Sequence, residues 1–136
     1  MVFKYTAGLG NGASYIASSK PFLSSSIVVP SNASDVVRIS FPNVSKFVTI
    51  RNMNDSSGPS RVLRFGFSHN GVSGSANYAT LANEESYTGD FRVTEVFLRC
   101  DAAHANQVVT ASVIAGMTGI GVSELPTNWS GSSGVG

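Results

Sequence analysis

Apolar and polar residues alternate with a period of two along most of this chain, and Pro, Gly and Asn cut the alternation into short runs. Such alternation places successive side chains on opposite faces of an extended strand. Phe22 to Val29 predicts a first strand, stopped by Pro30. Asp35 to Phe41 predicts a second, with Val37, Ile39 and Phe41 on one face and Arg38 and Ser40 on the other. Pro42 ends it, because proline has no N–H to give to a ladder. Val44 to Arg51 follows, Val48 and Ile50 facing inward, Phe47 and Thr49 outward. After a polar loop from Asn52 to Ser60, Arg61 to Ser68 sets Leu63, Phe65 and Phe67 on one face against Val62 and Arg64 on the other. Asn70-Gly71 predicts a tight turn, since both residues tolerate positive φ, and Ser73 to Asn77 extends the loop. Tyr78 to Ala82 is a short strand, Asn83-Glu84-Glu85 a turn, and Ser86 to Asp90 leads through Gly89 into an apolar run from Phe91 to Cys100. A second polar loop, Asp101 to Asn106, precedes Gln107 to Ala115, where Val109, Ala111 and Val113 share a face. No stretch carries a convincing helical period.

About eight strands with turn signals spaced about 8–12 residues apart predict an all-β fold, a two-sheet β-sandwich or jelly roll. The expected division is an N-terminal arm at 1–21, the sandwich at 22–116 and a Gly/Ser-rich C-terminal tail at 117–136. Apolar neighbours at Val108 with Val109 and at Val113 with Ile114 break the alternation. A strand apolar on both faces needs cover on both, and in a two-layer sandwich the outer cover must come from the arms or from a neighbouring molecule.

Composition strengthens that expectation. At 136 residues the chain has the length of one domain, enough to bury roughly two-thirds of its unfolded surface. Only 12% of residues are charged, about half the usual share. Of nine basic and eight acidic residues, only Lys4, Lys20 and Glu124 fall outside positions 35–101. Both ends are therefore nearly neutral. The last twelve residues, LPTNWSGSSGVG, carry the chain's one tryptophan, Trp129, and no charge. Alone in water such a segment has too little apolar surface to offset its ordering entropy. The expected holder is another subunit, because interfaces exclude unpaired charge.

A net charge of +1 gives no basic field of the kind that binds nucleic acid. Arg61 and Arg64 lie near Phe65 and Phe67, but period two turns Arg64 away from both rings, so the rings are assigned to the core. The single Cys100 excludes an internal disulfide and reads as a buried thiol. No signal-peptide pattern opens the chain, and no apolar run approaches the roughly 18 residues of a membrane span. Asn-x-Ser sequons at Asn32, Asn43, Asn54 and Asn128 are expected to be chance in a chain so rich in Ser and Asn.

Catalytic chemistry finds no foothold. His69 and His104 sit in loops without metal-ligand spacing. Glu84 and Glu85 are neighbours that point to opposite faces. Gly8-Leu9-Gly10 opens like a dinucleotide fingerprint, but Ala13 stands where its last glycine belongs. No Gly-x-Ser-x-Gly elbow occurs. Asp35, Asp55, Asp90 and Asp101 are too scattered for a dense calcium loop. The expectation is no enzyme, no cofactor and no metal.

The order FPNVSKFVTIRN, RVLRFGFSHNGV, NYATLANEESYTGDFRVTEVFL, VVTASVIAGMTGI and ELPTNWSGSSGVG resembles the small single jelly-roll capsid proteins of large eukaryotic double-stranded DNA viruses. The likeness is to their penton proteins in particular and covers residues 22–136. It implies an eight-stranded single jelly roll with extended N- and C-terminal arms, assembled as a homopentamer at icosahedral vertices. The implied partners are major and minor capsid proteins, and the implied location is the virion, assembled inside the host cell. Some pentons insert an extra domain between strands; no loop here is long enough, so a spike would be a separate protein. Closure into a ring is head-to-tail, one flank of each subunit meeting the other flank of the next. Phe3, Tyr5, Leu9, Tyr15 and Ile16 in the first arm and Trp129 in the last are the expected anchors, since aromatic residues carry much of an interface's energy. These same residues could instead cap the open ends of their own sandwich. The competing function is a carbohydrate- or receptor-binding β-sandwich, in which Tyr78, Tyr87 and the 69–77 loop would supply a glycan platform. A third reading, a cupin-type enzyme, is disfavoured by the missing histidine set.

Overall fold

A computed structural model describes residues 20–30, 35–74, 77–101 and 108–124. Eight strands run β1 (Lys20–Val29), β2 (Val37–Ser40), β3 (Asn43–Asn52), β4 (Leu63–Gly66), β5 (Ala79–Leu81), β6 (Ser86–Gly89), β7 (Glu95–Cys100) and β8 (Val109–Gly121). They form two four-stranded antiparallel sheets, ordered β1-β8-β3-β6 and β2-β7-β4-β5. The protein is thus all-β, a two-sheet β-sandwich. A short helix α1 (His69–Ser73) and a 3₁₀ turn (Val122–Glu124) complete the described elements.

The pairing has a simple logic. β1 pairs with β8, β2 with β7, β3 with β6 and β4 with β5, all antiparallel. The chain therefore behaves as one long hairpin whose tip is the β4–β5 connection. The doubled ribbon is then folded across itself, and the seams β3–β8 and β4–β7 close each sheet. Two sheet margins result, one bounded by β1 and β2, the other by β5 and β6.

Alternation fixes which side chains meet between the sheets. From β8, Val109, Ala111, Val113, Ala115 and Met117 are buried; from β3, Val48 and Ile50; from β4, Leu63 and Phe65; from β7, Val96, Leu98 and Cys100. Each fully buried aliphatic side chain of this size contributes about 1.5–3 kcal/mol.

Several expectations shift by a few residues. The fourth strand ends at Gly66, and the expected Asn70-Gly71 turn lies inside α1. Ser68 caps that helix, its Oγ accepting the Gly71 N–H at 2.9 Å, which satisfies one of the helix's orphan donors. The apolar run from Phe91 joins β7 only at Glu95, because Phe91 to Val93 turn toward β3: the Phe91 carbonyl accepts the Ser45 hydroxyl, and the Ser45 N–H donates to the Val93 carbonyl at 2.9 Å. β8 runs on to Gly121, with Met117, Thr118 and Ile120 buried. The boundary expected between 116 and 117 falls inside that strand, and residues 117–121 belong to the sandwich.

α1 lies on the outer face of the second sheet, over two arginines. Arg64 and Arg99 stand directly opposite each other on β4 and β7. Like charges so placed ordinarily repel. Here both guanidinium groups donate to carbonyls at the end of α1: Val72 accepts from each, Gly74 from Arg64 and Ser73 from Arg99. Arg64 also pairs with Asp101 at 3.1 Å. The negative end of the helix and the carboxylate together offset the repulsion.

Candidate functional site: an aromatic cleft and an apolar outer face

The sandwich does not close at the β5–β6 margin. A cleft of about 380 Å³ lies there, lined by Phe65, Phe67, Tyr78, Ala79, Leu81, Tyr87 and Phe91, with Asn77 and Thr80 at its polar edge. The volume is within the usual range of small binding sites, as is a mainly aromatic lining with few polar groups. Among the described residues no lining side chain is charged.

Register explains how these rings meet. Phe65 pairs with Ala79, and Tyr87 with the inward-facing Ile50, so Phe65 and Tyr87 both point between the sheets. Their rings stack across the gap with centroids 5.9 Å apart. Phe91 continues the row, 6.1 Å from Tyr87 and 4.8 Å from Phe67. Glycine makes the row possible. A Cβ at Gly89 would stand 2.2 Å from the Phe91 ring, and one at Gly66 would stand 2.7 Å from Val72 Cγ2 and 3.1 Å from the Asn77 carbonyl. The first absence lets Phe91 fold back over β6; the second lets the chain at Asn77 close the rim.

Tyr78, at the edge of the cleft, is held by charge. The Arg64 guanidinium lies 3.7 Å from the centre of the Tyr78 ring, a cation–π contact worth about 0.5–2 kcal/mol. Because Arg64 is itself held by α1 and Asp101, it braces Tyr78 from the outer side of the second sheet. Tyr87 remains 46% exposed and forms the accessible lip.

A second feature faces outward from the first sheet. Leu23, Ile114, Thr49 and Thr88 stand in one cross-strand row over β1, β8, β3 and β6. Leu23 is 70% exposed and Ile114 42%. With Met53 and Arg51 they border a shallow groove of about 540 Å³. The doublet at 113 and 114 thus splits as its apolar pattern requires, Val113 into the core and Ile114 to the outside. Among the described residues nothing covers Leu23 or Ile114.

The expected anchors Phe3, Tyr5, Leu9, Tyr15, Ile16 and Trp129 lie outside the described residues, as does His104. Tyr78 and Tyr87, distant in sequence, are brought into one cleft. Among its described residues, the 69–77 segment contributes Asn77 alone to it, since His69 to Ser73 are helical. Phe65 serves both core and cleft. Phe91 and its enabling Gly89 were not foreseeable as a unit; the only signal is a glycine two residues before an aromatic at a strand end. His69 stands edge-on to Phe97 with centroids 6.4 Å apart. Glu85 accepts the Ala82 N–H in a turn. Burial pushes the Cys100 thiol above its ordinary value. Among the described residues no three His, Cys, Asp or Glu side chains come together as a metal site, and no helix is long and apolar enough to cross a membrane. No protein-family model, curated protein or solved structure matches the chain.

Proposed function

We propose that this chain is a structural capsid protein, a single jelly roll that closes into a homopentameric penton at the vertices of a large DNA virus particle beside major capsid protein. The observation that carries the reading is the strand order. Eight strands in two sheets, paired first with last and inward to the hairpin tip, support the jelly-roll reading, a scheme used by viral shells as well as by lectins and cupins. The exposed Leu23–Ile114 strip and the low charge share favour the shell over the other two. In this reading the chain works by adhesion, not by chemistry, and resides in the virion.

Native mass spectrometry of the purified full chain tests it, followed by location in a particle map. A five-membered ring is the expected result. Removing residues 126–136 is expected to leave the sandwich folded and to abolish incorporation into particles. A truncation that instead unfolds the domain would make the tail part of the core.

The meeting of Tyr78 and Tyr87 in one cleft favours a second reading, a carbohydrate- or receptor-binding module. Aromatic faces stack on the apolar face of sugar rings. A monodisperse monomer that binds simple sugars saturably would establish this reading in place of the shell.

A further inference from the structure

We infer that the aromatic cleft is the socket for the N-terminal segment, residues 1–19, of the next copy of this chain in the ring. The inference rests on the assembly reading above and says which surfaces meet. Three observations carry it.

The first is position. The cleft opens at the β5–β6 margin, whereas residues 1–19 precede Lys20 on β1, the strand at the opposite margin of the first sheet. Three strand spacings, about 14 Å, separate β1 from β6. A ring closed by rotation joins opposite flanks of successive subunits. The segment therefore leaves one molecule on the flank that faces its neighbour's cleft.

The second is height. Phe22, Ala115, Val48 and Gly89 form one row across the sheet. One step along, Lys20 and Ser45 both face Met117, and the Ser45 hydroxyl donates to the Phe91 carbonyl at the cleft rim. Exit point and socket thus lie at the same level. Rotation about an axis along the strands preserves level, so the two meet without a vertical step.

The third is chemical match. Among the described residues the cleft lining offers aromatic rings and no charge. Residues 1–19 carry Phe3, Tyr5, Leu9, Tyr15 and Ile16 and one charge, Lys4. Inserting an aromatic residue into the gap beside Tyr87 and Phe91 extends a ring stack and leaves no ion unpaired. At a reach of up to about 3.3 Å per residue the segment has length to spare.

Site-directed disulfide trapping in the full chain tests this. Ala79, exposed and lining the cleft, is replaced (Ala79→Cys) together with one of Phe3→Cys, Tyr5→Cys or Tyr15→Cys. The native Cys100 is buried and its thiol resists ionisation, so it stays silent. Mild oxidation should give a ladder of linked copies on a non-reducing gel from at least one pair, lost on reduction, and none from the single variants. A 79-to-arm disulfide confined to monomers would overturn the inference, because the segment would fill its own cleft. So would rings by native mass with no link from any arm position, or efficient linkage by Trp129→Cys in their place; both leave the shell reading intact. A monomer before oxidation would count against the shell reading itself and remove the neighbour this inference needs. As a second variant, Ala79→Arg puts an unpaired cation at the socket. It should weaken ring formation at least tenfold while circular dichroism stays that of the native sandwich; undiminished assembly would overturn the socket.

Discussion

Replacing Gly89 by alanine should damage the cleft in a way that one further substitution repairs. The added methyl would sit 2.2, 2.6 and 2.9 Å from three atoms of the Phe91 ring. Phe91 must swing outward, leaving Phe67 and Tyr87. The ring is half-buried; exposing about 100 Å² of its apolar surface costs about 2.5 kcal/mol at 25 cal/mol per Å². Loss of aromatic pairing adds about 0.5–1.5 kcal/mol, and escape of the ring to solvent caps the steric strain. The expected penalty is about 3 kcal/mol, or a fall in Tm of about 10 °C for a domain of this size. Urea unfolding followed by far-ultraviolet circular dichroism measures it. Phe91→Ala alone should cost about 2–3 kcal/mol for the same lost contacts. Combined with Gly89→Ala it should cost little more, because the clash has been removed. The coupling should therefore reach about 2 kcal/mol. Additive losses, or a Gly89→Ala penalty within about 0.5 kcal/mol of zero, would refute the close approach of ring and strand.

Other outcomes follow from the same geometry. Arg64→Met should destabilise the fold by about 2–4 kcal/mol by freeing the Gly74 carbonyl and the Asp101 carboxylate and leaving the Val72 carbonyl to Arg99 alone. Hydrogen exchange should show α1 opening first, and Arg64→Lys should not restore it, since a compact ammonium lacks the planar fork that spans the α1 carbonyls and Asp101 from two separate nitrogens. Ile50→Ala should cost about 2–5 kcal/mol as a core cavity, whereas Leu23→Ser with Ile114→Ser should change monomer stability by less than about 1 kcal/mol and show its effect in assembly, read by light scattering. Burial raises the Cys100 thiol above its ordinary value of 9.0, so the unfolded chain releases that proton first. Stability should therefore fall as pH climbs past about 9.0, and the difference between wild type and Cys100→Ala in pH-dependent urea unfolding should isolate that slope.

The sandwich was legible because its strands bury one face each. Val37 with Ile39, Val48 with Ile50 and Val109 with Ala111 and Val113 keep strict period two, and the structure turns them inward. The helix at His69–Ser73 was hidden for a physical reason. At five residues it is too short for a period to register, and its stability comes from two arginines on other strands, so local sequence reads only as a turn. Strand ends failed where side-chain bonds overrule alternation: Ser45 draws Phe91 to Val93 out of the seventh strand despite their apolar character. In the cleft, Tyr78 and Tyr87 could be singled out as aromatic, but their meeting depends on which strands form the margin. That is a property of pairing order, to which a single strand's pattern is blind.

The eighth strand lies between the first and the third, with Lys20 and Ser45 both facing Met117. Neither contact exists until nearly the whole described chain has left the ribosome. Folding must wait for that late strand, and pairing so remote in sequence is intrinsically slow, on the scale of about milliseconds to seconds. A prematurely terminated copy lacking β8 leaves β1 without its partner and reduces the first sheet to the β3–β6 pair. Completion of the chain and closure of the first sheet are thus one event, because the strand that joins β1 to β3 is made last of the eight.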